Sequence, residues 1–115
     1  MNNEYDQAVA LFQKVIDKDP EDYDSNLNVG NAYLSMADEY RKSLVARENN
    51  GEEIKSEETE KMKEYFAKTI PYLEKAVSLR PEDDNVWNNL GIAYIQAGNL
   101  EKGKECFDKA EELRK

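Results

Sequence analysis

The residues best able to do chemistry in this chain are its carboxylates: 25 Asp and Glu against 16 Lys and Arg, with no histidine among 115 residues. Carboxylate pairs can act as general acid and base, or hold a divalent cation. Here the pairs Glu52-Glu53 and Asp83-Asp84 precede runs of helical periodicity. Negative charge at such places is expected to meet the positive end of a helix, not a substrate. Asp22, Asp24 and Asn26 imitate the opening of a calcium loop, but the required Gly and bidentate Glu fall on Leu27 and Tyr33, so the pattern fails. Without histidine the commonest general base and metal ligand are both missing. The single cysteine, Cys106, permits no intrachain disulfide, and beside Phe107 it reads as a small buried hydrophobe, not a nucleophile. No Ser-Gly or Gly-Lys motif offers a nucleophile or a phosphate cradle. The expectation is a protein that is not an enzyme, with no catalytic residue, cofactor or metal. The polar type that does recur with a spacing is asparagine, at Asn28, Asn31, Asn85, Asn88 and Asn89.

Positioning those amides falls to helices. Tyr5, Ala8, Val9, Phe12, Val15 and Ile16 recur at three- and four-residue steps, with Asn2 or Asn3 as cap and Pro20 as stop. A second helix is expected from about Asp22, with Leu27, Val29, Tyr33, Leu34 and Ala37 apolar. Tyr40 and Leu44 prolong it to about Arg47, before the Asn49-Asn50-Gly51 turn signal. A third starts near Ser56 and carries Met62, Tyr65, Phe66, Ile70, Leu73, Ala76 and Val77. Pro71 should bend it without breaking it, because the stripe keeps phase on both sides. The fourth spans Asp84 to Ala97 and the fifth runs from Leu100. The spacing therefore predicts five antiparallel helices and an all-α fold.

Two segments also repeat: Leu27-Asn28-Val29-Gly30-Asn31-Ala32-Tyr33 and Asn88-Asn89-Leu90-Gly91-Ile92-Ala93-Tyr94. Together with Trp87, Gly98, Phe107, Ala110, Leu113, Pro20, Leu73, Ala76, Leu79 and Pro81, they resemble the tetratricopeptide repeat (TPR) family, whose unit is about 34 residues in two antiparallel helices. The resemblance implies a short right-handed solenoid of stacked hairpins in one domain. Residues 1–20 would be a half repeat, 22–81 a repeat with a helical insertion at about 37–64, and 84–115 a further repeat. Departures are Asn26 for the usual Trp, Thr69 for an Ala, and Gly103 for an Ala, the last expected to weaken its helix slightly. Pro20 and Pro81 are 61 residues apart, which leaves a surplus over the unit length. Because apolar stripes run into that surplus, it reads as a lengthened hairpin, with Tyr40 and Leu44 against Met62 and Tyr65. Similar lengthened repeats, with a Pro-Tyr-Leu-Glu-Lys-Ala segment like Pro71 to Ala76, suggest a bacterial type.

The resemblance further implies a non-catalytic protein- or peptide-binding scaffold. Its concave groove would be lined by Asp24, Leu27, Asn28, Asn31, Leu34 and Ser35, then Asn85, Asn88, Asn89, Ile92, Ile95 and Gln96. Asn28 and Asn89 would form an amide ladder along a ligand backbone; the alternative is that they are solvated helix positions. The carboxylate clamp of chaperone-binding members would use Asn31 and Asn89, but Leu27 stands where a Lys is needed. A net charge of −9 opposes nucleic-acid binding, which needs a basic face, and disfavours anionic membrane. No stretch approaches the roughly 18 apolar residues of a membrane span, and the acidic N-terminus is no signal peptide. These features favour a cytoplasmic chain, although a parent protein could differ. A half repeat at one end and no polar capping helix at the other leave two readings. Either the chain is a piece of a larger TPR protein, or its open ends dock on another copy as a homo-oligomer.

Overall fold

The computed structural model describes residues 3–115. It contains α1 (Asn3–Lys18), α2 (Tyr23–Asn49), α3 (Ser56–Leu79), α4 (Asp84–Ala97) and α5 (Leu100–Arg114), with no strand among the described residues. The helices stack as antiparallel hairpins. Of the two caps expected for α1, Asn3 is already helical and Asn2 lies outside the described residues.

Side chains near each boundary explain where the other helices start. The Asp22 carboxylate accepts from the Ser25 N–H at 2.9 Å, Asp83 from Asn85 at 3.0 Å and Asn99 from Lys102 at 3.2 Å. Each satisfies an orphan donor of the first turn. Hydrogen bonds from Ser25 hold the Asp22 carboxyl below its usual pKa. α4 ends at Gly98 with φ of 100°, a left-handed position that costs a residue with a Cβ far more than glycine. α3 passes through Pro71 as one helix. Two residues earlier, the Thr69 hydroxyl is buried with no partner among the described residues.

The α2–α3 hairpin is long, 27 and 24 residues against 14 and 15 for α4 and α5. Its outer part is packed as the apolar stripes require. The Tyr40 and Tyr65 rings meet edge to face, centroids 5.1 Å apart, and Leu44 is buried. Arg47 closes the tip by bonding Glu52 at 2.8 Å and Glu58 at 2.7 Å, while Glu58 also accepts from the Lys55 N–H at 3.1 Å. Hydrogen bonds from Arg47 and then Lys55 hold Glu58 below the usual carboxylate range.

Glycines set the helix spacing. A Cβ at Gly30 would lie 2.6 Å from Leu73 Cδ2, and one at Gly91 would lie 2.8 Å from Phe107 Cε1 and 3.1 Å from the Gly103 carbonyl. The two crossings are equivalent: a glycine of the first helix receives the large side chain of the second. Gly103 is not the mere weak spot that its exchange for Ala suggests. It is buried, and a Cβ there would meet Ile95 Cδ1 at 2.5 Å. The main core lies where α3, α4 and α5 meet: Leu73, Ala76, Val77, Val86, Leu90, Tyr94 and Cys106. Tyr23, Leu27, Ile70 and Trp87 pack on it.

The departure at Asn26 also has a physical account. Trp87 Nε1 donates to the Pro81 carbonyl at 2.8 Å, six residues upstream. Asn26 is buried and its Nδ2 donates to the Pro20 carbonyl at 3.1 Å, also six residues upstream, and to the Asp22 carbonyl at 2.8 Å. The amide thus does for the first interhelical turn what the indole does for the second. That role also removes Asn26 from any calcium loop.

Candidate functional site

The first helices of the two complete hairpins, α2 and α4, touch along one side, and this is where the amides collect. Helical spacing sets Asp24, Asn28, Asn31, Ser35 and Asp38 on one stripe of α2, and Asn85, Asn88, Asn89, Ile92 and Gln96 on one of α4. Asn89 Nδ2 donates to Asn31 Oδ1 at 3.5 Å, a long bond that joins the two helices. Beside it Leu34, Ser35, Asp38 and Ile92 line a cavity of about 260 Å³. An apolar notch and a row of amides therefore lie side by side.

The expected groove residues divide into three groups. Asn31, Leu34, Asn89 and Ile92 come together at the α2–α4 seam, with Asn88 and Gln96 half-buried on the same helix. Asp24, Asn28 and Asn85 are exposed. Leu27 and Ile95 face elsewhere: Leu27 packs on the α3–α4 core, and Ile95 sits over Gly103 of α5. Asp38 was not expected at the notch, although its place one turn beyond Leu34 and two beyond Asn31 is the signal that finds it. Burial raises the Asp38 carboxyl, but hydrogen bonds from Arg41 at 3.0 Å and Lys42 at 3.2 Å outweigh it and leave the group below its usual pKa. The notch thus carries a carboxylate already balanced by two cations.

A second cavity of about 390 Å³ opens between α3 and α5 over α4, walled by Glu74, Trp87, Tyr94 and Lys102 with Cys106 at its base. Tyr94 donates to Glu74, and Lys102 stands 5.6 Å from the Tyr94 ring. Burial, then the Glu74 and Glu105 charges, push the Cys106 thiol up to about 11, so it is protonated near neutrality. A third, of about 360 Å³, lies on the long hairpin, where Lys61 stands 5.8 Å from the centroids of both Tyr40 and Tyr65. Among the described residues no cluster of three His, Cys, Asp or Glu could hold a metal ion, and no helix is long and apolar enough to cross a membrane.

Comparison with known proteins agrees with this geometry. Tetratricopeptide repeat profiles match residues 2–43 and 65–114, and the gap between them holds the outer part of the α2–α3 hairpin. Superkiller protein 3 of Saccharomyces cerevisiae is 28% identical over 123 residues, an alignment that takes in 94% of this chain and 8% of that protein. The solved structure of MamA AMB-1 superposes with a TM-score of 0.63 at 25% identity, over 97% of this chain and 50% of that one. The chain therefore spans no more than half the length of either relative. With glycine–large-residue crossings in both hairpins, paired proline turns and two profile matches, the chain belongs to the tetratricopeptide repeat family.

Proposed function

We propose that this chain is a non-catalytic scaffold that holds an extended peptide segment of a protein partner along the α2–α4 face. The observation that carries the reading is the seam itself, where the Asn31–Asn89 amide pair lies next to the notch between Leu34 and Ile92. Amides can exchange their long mutual bond for bonds to a ligand backbone, which lacks side-chain information but repeats its donors and acceptors. The notch accepts one apolar side chain of the ligand and supplies selectivity. Asn28, Asn88 and Gln96 extend the polar track on either side of the seam. Asp38, held by Arg41 and Lys42, adds no net pull on a charged ligand, so the overall charge of −9 is what favours a neutral or basic segment.

The test is selection of extended peptides from a random library on immobilised wild type, with counter-selection on the Asn28→Ala/Asn89→Ala variant. Peptides with one apolar anchor that bind wild type at least tenfold more tightly than the still-folded variant support the reading. Peptides that bind both equally place recognition away from the amides and refute it. An Ile92→Lys variant, which fills the notch, should lose the same peptides.

A further inference from the structure

The lengthened α2–α3 hairpin outreaches α4. α2 and α4 run side by side in one direction, since Asn31 meets Asn89 and Leu34 shares the notch with Ile92. At that offset the last residue of α4, Ala97, comes level with Glu39, while α2 continues to Asn49, about 15 Å further. Past that level the hairpin has a cavity of its own, of about 210 Å³. Leu44 and Val45 of α2, Ile54 of the tip and Met62 of α3 line it, with Arg41 and Glu48 beside them. Leu44 is buried, Ile54 and Met62 are half-buried, and Val45 is 42% exposed.

This cavity and the α2–α4 notch are neighbours. Helical spacing sets Leu34, Asp38, Arg41, Val45 and Glu48 on one stripe of α2. The first two line the notch and the last three line the second cavity. A single ion pair stands between them: Arg41 bonds Asp38 through Nε at 3.0 Å and through a terminal guanidinium nitrogen at 2.9 Å. On α2 the two linings are centred about nine residues apart, or about 13 Å along the helix. An extended chain advances about 3.3 Å per residue and points alternate side chains the same way. Its residues i and i+4 therefore stand about 13 Å apart on one face, with i+2 over the Asp38–Arg41 pair.

We propose that the partner's extended segment carries two apolar residues four apart, one seated in the Leu34–Ile92 notch and the other in the cavity of Val45, Ile54 and Met62. The proposal rests on the peptide reading above and adds a second anchor and its spacing. The residue midway is uncharged and hydrogen-bonding, such as Ser, Thr or Asn. An acidic one would set its charge against Asp38, and a basic one against Arg41 and Lys42. Glu48, beside the second cavity, suits a basic residue beyond the second anchor. The lengthened hairpin is what supplies the second anchor point, since an α2 that ended level with α4 would lack Arg41, Leu44, Val45 and Glu48.

The test is a library of random dodecapeptides with one fixed central Leu, selected on the purified wild-type chain and on Val45→Glu. Wild type should enrich a second apolar residue four positions from the fixed Leu, and not three. Replacing that second residue by Ser in the selected peptides should weaken binding to wild type at least fivefold. Val45→Glu, at an exposed position, should keep the helical circular-dichroism spectrum, still bind through the fixed Leu, and show no preference four positions away. Val45→Trp, which fills the second cavity, should lose the same preference. Wild-type peptides with no second apolar residue at that spacing overturn the proposal and leave the single-anchor reading standing. A preference that survives both Val45 variants overturns it too, by placing the second anchor elsewhere. A wild type that binds no peptide of the library overturns both readings together.

Discussion

Replacing Gly91 by Ala tests the crossing that sets the α4–α5 spacing. Helix propensity alone says the change should stabilise, by about 1 kcal/mol. Packing says otherwise. The new methyl carbon would stand 2.8 and 2.9 Å from two Phe107 ring carbons and 3.1 Å from the Gly103 carbonyl oxygen. Carbon pairs rest at about 3.5–4.0 Å, so the ring must swing by more than half an ångström. Phe107 is only half-buried and can yield outward, but the carbonyl belongs to the backbone of α5 and cannot. Overpacking of this kind costs about 1–3 kcal/mol. Set against the propensity gain, Gly91→Ala should lose about 1 kcal/mol net. Gly30→Ala should lose about 2 kcal/mol, because Leu73 is fully buried and has nowhere to move. Urea melts followed by far-ultraviolet circular dichroism at 25 °C give both values. The cycle with Phe107→Leu isolates the clash: the double variant should be more stable than the sum of the singles by about 0.5–1.5 kcal/mol. Relief should be partial, since the contact with the Gly103 carbonyl stays. A Gly91→Ala protein stabilised by about 1 kcal/mol, with no coupling to Phe107, would show that propensity acts unopposed and that the helices do not approach as described.

Asn26→Ala leaves the Pro20 carbonyl without its side-chain donor and removes the bond that ties the first turn to α2. A loss of about 1–3 kcal/mol in the same urea assay is expected, and a change below a few tenths would refute the equivalence with Trp87. Thr69→Val replaces a buried hydroxyl that has no partner with a methyl of the same shape, so the melting temperature should hold or rise; a clear fall would mean the hydroxyl is bonded after all. Glu58 titrates below its ordinary value of 4.5 because of Arg47, so its contribution is present above that pH and fades as pH falls through the lowered value. Glu58→Gln should therefore flatten the acid limb of a plot of stability against pH below about 4.5, and an unchanged limb would show that the Arg47 contact has no effect on stability.

The hairpin architecture was legible because its signals are local. Pro20, Pro81 and Gly98 mark turns by backbone chemistry, and the i, i+3, i+4 stripes of α1 and α3 mark one face each. The lengthened hairpin was legible for the same reason, since Tyr40, Leu44, Met62 and Tyr65 continue those stripes across the surplus. The site was less so. α2 and α4 are each packed between neighbouring helices, so apolar residues run around much of their circumference: Val86, Leu90, Gly91, Ala93 and Tyr94 are all buried on α4. Periodicity then cannot say which flank is solvent. That is why Leu27 and Ile95 were expected in the groove but pack on α3–α4 and on α5, and why Asp38, assigned to the insertion, lines the notch. Asn26 was hidden differently. A type change from Trp to Asn reads as a lost hydrophobe, whereas what persists is an N–H aimed at a proline carbonyl.

The lengthened hairpin and α1 differ in how firmly the stack holds them. In a stack of hairpins stability is largely a matter of nearest neighbours. The α2–α3 pair has the longest shared seam, closed at its tip by Arg47 between Glu52 and Glu58. α1 rests on α2, and the Tyr72–Gln13 bond at 2.9 Å and the Glu21–Lys75 pair at 2.6 Å draw its end of the stack toward α3. Both of those are polar and at least partly solvated, and such contacts add little. α1 should therefore open at lower free energy than the α2–α3 pair, and its amides should exchange faster than those of α2 and α3 in native-state hydrogen exchange. The long α2–α3 seam therefore anchors its neighbours more firmly than α1 is held.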